Sequence, residues 1–297
     1  TTVMDLAALV LVLRPRISLT VMNEDRRKFL QQGYLLKKGF LGPKRPQDLL
    51  NEVKQIFLTQ MKQAGIETSF DIGDERRFTE AMATLFEADF EAFVNCGKQV
   101  QHTMNLHRLA LDSRIEDLIL SVGLKNPNIC TRPVLFFNHP SLAKERVYHT
   151  VFPHQDWRSM QGSLDAVVVW CPLLDIDQSM GALKIVPGSH HRGLVSGPVE
   201  AGFGKVSEEL FNKEDWIDID VVQGDLLIFS ALLVHQSGEN VTDRIRWSCH
   251  FRYNNLDEVT FIERKFHHNY LYQPKDELHT ANFPREPDIT RIFNVEE

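Results

Sequence analysis

Beyond residue 128 the chain is a series of short β-prone runs with no helical pattern between them: "RPVLFFN", "VYHTVFPHQD", "LDAVVVWCPL", "GALKIVPGS", "WIDIDVV", "DLLIFSALLVHQS" and "RIRWSCHFRYN". Such runs, separated by Gly, Pro, Asn and Asp, lack the crossover helices that a parallel sheet requires, so they dictate an antiparallel sandwich or barrel. The expectation is a mainly β chain, a jelly roll with N-terminal helices packed outside it. "NEDRRKFLQQG" opens on a capping Asn23 and closes at Gly33, and "RPQDLLNEVKQIFLTQMKQAG" sets Leu49, Val53, Phe57 and Met61 on one stripe before Gly65. Two more helices are expected over about Arg77 to Asn95 and about Ser113 to Val122. The chain then divides into a helical annex over about 20–127, a jelly-roll core over about 128–255 and a C-terminal extension over 256–297, all within one domain.

Composition excludes several classes. With 297 residues, 43% of them hydrophobic, the chain has enough apolar material for one large core. A formal net charge of −7 argues against nucleic-acid or polybasic membrane partners, which need a surplus of Lys and Arg. Cys96, Cys130, Cys171 and Cys249 form no C-x-x-C pair and read as reduced buried thiols of a cytoplasmic protein. "LAALVLVL" (6–13) has Arg14 and Arg16 after it and no basic residue before it, the reverse of a signal peptide's order. It is also too short to span a bilayer and reads as a core strand or helix. The stretch 192–215, with Gly193, Gly197, Gly202 and Gly204, is too long for a simple turn and is a candidate lid.

Side chains alternate along a strand, so in "VYHTVFPHQD" Tyr148, Thr150, Phe152, His154 and Asp156 share one face. In "LLVHQSGEN", His235 shares its face with Ser237. In the last run Arg246, Ser248, His250 and Arg252 share one face, and Ile245, Trp247, Cys249 and Phe251 the other. Polar stripes usually face water, which is the expectation for Arg252 at the strand end. Two His and one carboxylate on one face of an octahedral metal, with other positions open, is the ligand set of mononuclear non-haem Fe(II) oxygenases. His154 and Asp156 supply two such ligands, and His235 supplies a third once the strands converge.

On "HQDW" (154–157), Trp170 in "VVVW", "GALKIVPGSHHRG" (181–193), "QGDLLIF" (223–229) and "HQSGENVTDRIR" (235–246), the chain resembles the phytanoyl-CoA dioxygenase family of Fe(II)/2-oxoglutarate-dependent oxygenases. The resemblance runs from about residue 25 to 255. It implies a double-stranded β-helix forming a single catalytic domain, with His154, Asp156 and His235 holding iron. The family places the Arg that binds the far carboxylate of 2-oxoglutarate eleven positions after the last His, which is Arg246 rather than Arg244. By resemblance Ser237 and Trp170 also line that pocket, although Trp170, in an apolar run, reads equally as a core aromatic. The implied reaction uses O2, decarboxylates 2-oxoglutarate to succinate and CO2, and hydroxylates a small-molecule substrate.

An Arg inside a barrel needs an anionic partner, which a dicarboxylate supplies and which favours Arg246 independently. A cupin-like metal protein without 2-oxoglutarate has no use for that Arg, and a non-catalytic ligand-binding jelly roll has none for the three converging ligands. His190 and His191 are expected to be structural or solvated, His267 and His268 to lie on the surface, and His149 to point away from His154. Lys98, in the annex, is a further candidate for approaching the cosubstrate. No CoA-binding feature is visible, and the extension beyond 255 carries no family motif.

Overall fold

In the computed structural model, residues 23–142, 152–195, 199–200 and 203–266 are described. The stretch "LAALVLVL", the first part of the "VYHTVFPHQD" run with His149, and His267 and His268 lie outside them. Helices α1 (Glu24–Gln32), α2 (Lys44–Gln63), α3 (Glu75–Ala88), α4 (Phe90–Gln99), α5 (Met104–Ala110) and α6 (Ser113–Val122) precede most of the strands. The short α7 (Trp157–Met160) and α8 (Val259–Glu263) follow. The strands are β1 (Tyr34–Lys37), β2 (Pro127–Ile129), β3 (Val134–Asn138), β4 (Val167–Pro172), β5 (Leu183–Ile185), β6 (Val199–Glu200), β7 (Phe203–Gly204), β8 (Ile217–Ile219), β9 (Leu226–Ser230), β10 (His235–Ser237) and β11 (Arg246–Asn255). The architecture is therefore mixed, helices with antiparallel sheets, rather than mainly β.

Local chemistry accounts for the element ends. The Asn23 side chain accepts from the Arg26 N–H to start α1, and Gly33, at φ 81°, ends it. Leu49, Val53, Phe57 and Met61 are all buried, as their spacing predicts. The single helix expected over Arg77 to Asn95 is instead two. Asp89 leaves the helical region (φ −146°, ψ 80°) and its carboxylate accepts from the Ala92 N–H, so an Asp that favours N-cap geometry restarts the chain as α4.

One sheet runs β1-β9-β4-β11-β2, with β3 also paired to β11; a second runs β10-β5-β8. Every pairing is antiparallel. The larger sheet is buried on both faces. Val167, Val169, Cys171, Ile228, Trp247 and Phe251 pack with the helices, where Phe57 meets Phe137 edge-on at 5.7 Å and Trp247 at 6.1 Å between ring centroids. Val168, Trp170, Leu227 and Phe229, on the other face, pack with Leu183, Ile185 and Ile219 of the smaller sheet. This second contact puts the polar stripe of β11 between two sheets and not against water.

The "QGD" turn fastens β9 to the annex. The Asp225 carboxylate, wholly buried, accepts from the N–H groups of Gly39 (2.7 Å) and Val222 (3.0 Å) and from Lys38 Nζ (3.0 Å). A Cβ on Gly224, at φ 97°, would stand 2.7 Å from the Gly42 backbone, so only glycine lets the two turns approach this closely.

Candidate active site

His154 and His235 exchange both backbone hydrogen bonds, at 2.9 and 3.1 Å, which brings their imidazoles to 4.2 Å between centroids. Asp156 does not share a strand face with His154. The chain turns after Gln155, and Asp156 stands in the αR region at the N-cap of α7, with Met160 N–H donating to its carbonyl. The turn carries its carboxylate toward both rings, Oδ1 lying 4.0 Å from His154 Nε2 and Oδ2 3.9 Å from His235 Nε2. One ligand atom from each residue falls within 4.8 Å of the others.

Gln155, between the two, is a residue that strand patterning misses. Its buried amide donates to the carbonyls of Gly193 (2.8 Å) and Leu232 (2.6 Å), and its oxygen accepts from the Val195 N–H (2.8 Å). The turn bearing His154 and Asp156 is thereby tied to Leu232, just before His235, and to the segment 193–195. In the candidate lid, the described residues are anchored to this turn: Val206 N–H donates to Pro153 O at 2.7 Å, and Arg158 Nη2 to Val195 O at 3.0 Å.

The donor set suits a divalent metal. Nδ1 of His154 lies 2.7 Å from Phe152 O, and Nδ1 of His235 lies 2.9 Å from Leu233 O. An N–H there donates to each carbonyl and leaves Nε2, facing the cluster, with a free lone pair. Burial keeps both imidazoles neutral, pushing His235 down to about 3 and lowering His154. For Asp156 burial opposes ionisation, but the adjacent Arg252 guanidinium outweighs it and holds the carboxyl below its usual range. Arg252 Nη2 donates to Asp156 Oδ1 at 2.8 Å with its side chain only 13% exposed, so the water-facing position expected for Arg252 is corrected. The second sheet covers that face.

The three residues open onto a cavity of about 410 Å³ between the sheets, whose wall also includes Trp170, Ser237, Arg246, Ser248, His250 and Arg252. Arg246 is 2% exposed. Its guanidinium donates to Gly181 O through Nη1 and to Ser237 Oγ through Nη2 (3.2 Å), lies 5.3 Å from the Phe136 ring centroid, and has no carboxylate partner among the described residues. Burial lowers its pKa to about 10. Nε of Arg246 and Oγ of Ser248 are buried with no hydrogen-bond partner among the described residues. A buried cation with no carboxylate partner among the described residues, beside a metal-type cluster, fits the far carboxylate of a dicarboxylate. Trp170 is both wall and core, while Arg244 is exposed.

Other residues fall outside the cavity. Lys98 is exposed on α4. His190 Nε2 lies 3.0 Å from Leu30 O, and its ring packs where a side chain at Gly33 would sit, a structural role as expected.

Two facing antiparallel sheets around a two-histidine, one-carboxylate centre define the class of non-haem iron oxygenases. The chain belongs to the phytanoyl-CoA dioxygenase family, whose model matches residues 29–248. Phytanoyl-CoA dioxygenase of Arabidopsis thaliana is 26% identical over 251 residues, covering 73% of this chain and 83% of that protein. The peroxisomal phytanoyl-CoA dioxygenase of Bos taurus is 22% identical over 242 residues, covering 78% and 68%. Among solved structures, the epimerase SnoN in complex with Fe3+, alpha ketoglutarate and nogalamycin RO superposes with a TM-score of 0.53 at 18% identity, covering 77% of this chain and 82% of that one. The non-heme alpha ketoglutarate dependent carbocyclase SnoK from nogalamycin biosynthesis gives 0.52 at 15% identity, covering 88% and 94%. At these identities the likeness to the solved structures is one of fold.

Proposed function

We propose that this protein is an Fe(II)- and 2-oxoglutarate-dependent oxygenase that hydroxylates, or otherwise oxidises, a small organic molecule. The observation that carries the reading is the convergence of His154, Asp156 and His235 within 4.8 Å, in one cavity with an Arg246 that lacks a carboxylate partner among the described residues. A cupin-like metal protein without 2-oxoglutarate leaves that buried guanidinium uncompensated and is disfavoured for that reason.

His154 and His235 offer Nε2 and Asp156 a carboxylate oxygen to the metal, the imidazoles held in the required tautomer by Phe152 O and Leu233 O. Arg246 and Ser237 take the far carboxylate of the cosubstrate, and Gly181 O fixes the guanidinium fork toward it. Trp170, Leu183 and Phe229 wall the cavity and keep water from the reacting centre. When bound, iron and 2-oxoglutarate supply the oxidising chemistry, consuming O2 and releasing succinate and CO2. The residues above bind, orient and exclude water.

The two facing sheets support a double-stranded β-helix, and the single catalytic domain proposed over residues 1–297 is supported, for the described residues, by the contacts tying β1, β9 and the annex together. A cytoplasmic location is part of the proposal, supported by four buried free cysteines. No helix of the described residues is long and apolar enough to cross a membrane. A net charge of −7 supports the absence of a nucleic-acid partner.

The test is succinate release from 2-oxoglutarate with Fe(II) and O2, in wild type and in His235→Ala. Metal-dependent release that the variant loses is expected. Release that persists without added metal, or in the variant, would remove the triad from the chemistry.

A further inference from the structure

Among the described residues, a third apolar cluster stands apart from the two that sandwich the larger sheet, and it abuts the backbone that carries the metal-type ligands. Val206, Phe211 and Val234 are buried in it, with Val195 packed against them. Val234 immediately precedes His235, and Val206 N–H donates at 2.7 Å to the carbonyl of Pro153, the residue before His154. Val195 is held by both of its backbone groups: its N–H donates to Gln155 Oε1 at 2.8 Å, and its carbonyl accepts from Arg158 Nη2 at 3.0 Å. Gln155 and Arg158 lie on either side of Asp156 in the turn and in α7, so the segment 193–195 is gripped from both flanks of that ligand.

Gln155 is 2% exposed, and three backbone groups converge on its side chain. The carbonyls of Gly193 and Leu232 need donors, and the Val195 N–H needs an acceptor. An uncharged primary amide supplies two N–H groups and an oxygen, whereas a carboxylate supplies no donor and a hydrocarbon supplies neither. The match also fixes which end of the amide is nitrogen, since the opposite orientation would set its oxygen against two carbonyls. Buried polar groups are paired as a rule, but this one stands between His154 and Asp156 in sequence, so a shift of its backbone moves both ligands. Two further ties of the same turn run toward His235: His154 N–H to His235 O and Trp157 N–H to Ala231 O, each at 2.9 Å. The Gln155 amide and Arg158 join the turn to 193–195.

We propose that Gln155 is a positioning residue that couples the metal centre to the segment 193–195. It holds the turn in the geometry that lets one metal take His154, Asp156 and His235 together, and a bound metal, by fixing that turn, tightens the grip on Val195. Coupling of this kind is reciprocal: whatever factor the grip adds to metal affinity, the metal adds to the grip. Arg158 assists from the carbonyl side of Val195. Groups that orient metal ligands without touching the metal change its affinity by about 10- to 100-fold when they are removed. The inference rests on the oxygenase reading above and uses only its metal site.

The test uses the full chain with Zn(II), a diamagnetic probe, and two readouts: Zn(II) affinity by calorimetry, and hydrogen exchange of single backbone amides by NMR with and without Zn(II). In wild type, Zn(II) should slow exchange at Val195 N–H by about tenfold or more, with little change at Val241 N–H, which is bonded to Ser179 O. Gln155→Leu should bind Zn(II) about 10- to 100-fold more weakly, and its Val195 N–H should exchange at one rate with or without the metal. Arg158→Met should weaken Zn(II) less than Gln155→Leu does, and Arg158→Lys should restore most of that loss. A folded Gln155→Leu protein that binds Zn(II) as tightly as wild type would overturn the proposal. So would wild-type exchange at Val195 that ignores Zn(II) or slows no more than at Val241, and this comparison decides even where Gln155→Leu does not fold. Wild type that binds no Zn(II) would instead overturn the metal site on which the oxygenase reading stands.

Discussion

Replacing Arg246 by Met should move stability and ligand affinity in opposite directions. The guanidinium is 2% exposed and has no carboxylate partner among the described residues, so without cosubstrate its burial is a cost only partly offset by its bonds to Gly181 O and Ser237 Oγ. Exchanging a buried ionic group for an apolar side chain of similar volume is often neutral or stabilising by about 1–4 kcal/mol, so the ligand-free variant should melt no lower than wild type. Losing a hydrogen-bonded pair to a charged group costs roughly 1.5–3 kcal/mol, which weakens 2-oxoglutarate about 10- to 150-fold. At a 2-oxoglutarate concentration 100 times the wild-type Kd, mass action stabilises the metal-loaded wild type by about 2.7 kcal/mol. At about 2–4 °C per kcal/mol for a chain of 150–250 residues, and less for this one, that is a rise of several degrees. A variant weakened about 100-fold gains only about 0.4 kcal/mol under the same conditions, so its melting curve should scarcely move. Thermal melts of the Ni(II)-loaded proteins with and without 2-oxoglutarate decide it. An undiminished ligand-induced shift in Arg246→Met, or its loss in Arg244→Met instead, would refute the assignment of the anchor.

Asp156→Ala should behave oppositely, since it deprives Arg252 of its 2.8 Å partner; a loss of about 3–5 kcal/mol in urea unfolding, together with loss of Co(II) binding by calorimetry, is expected. Gly181→Ala should lower both stability and 2-oxoglutarate affinity, because Gly181 is at φ 81°, its carbonyl holds Arg246, and a Cβ there would stand 2.7 Å from Gly238 O; melting and titration check it. Acid should destabilise the metal-free protein. His235 has a folded pKa of about 3 against 6.5 when exposed, so between those values the unfolded chain binds more protons and stability falls as pH falls, by about 2 kcal/mol from pH 7 to pH 5 for this group alone. In denaturant melts across that range, His235→Phe should show a shallower slope than wild type.

The strands were legible wherever a short apolar run was bounded by turn residues, and the annex helices wherever a cap and a stripe coincided, as at Asn23, Gly33 and the Leu49 to Met61 face. Asp89 was harder to read. An acidic residue inside an apolar periodic segment looks like a solvated helical position until its carboxylate is seen capping the next helix. β1 escaped because Tyr34–Lys37 is too short to show a period, and its identity as a strand comes from β9 alongside it. In the site, the H-x-D spacing picked out two side chains that the fold does bring together with His235, but by an incorrect local route. Alternation requires an extended chain, whereas Asp156 reaches His154 by a turn into α7. Arg252 was misplaced for a tertiary reason, since a polar strand face looks the same in sequence whether water or a second sheet covers it. Gln155 and His250 gave no signal of their own, and only the packing around them assigns them a place.

The central claim is that one metal held by this chain also holds 2-oxoglutarate, whose far carboxylate ends on Arg246. A crystal structure of the protein grown anaerobically with Fe(II) and 2-oxoglutarate tests it directly. The account predicts a metal about 2.0–2.2 Å from His154 Nε2, His235 Nε2 and an Asp156 oxygen, by analogy with the distances at zinc sites, with the cosubstrate reaching Arg246 and Ser237. Metal bound away from these three side chains, or a cosubstrate carboxylate on Arg252 with Arg246 left empty, would contradict it.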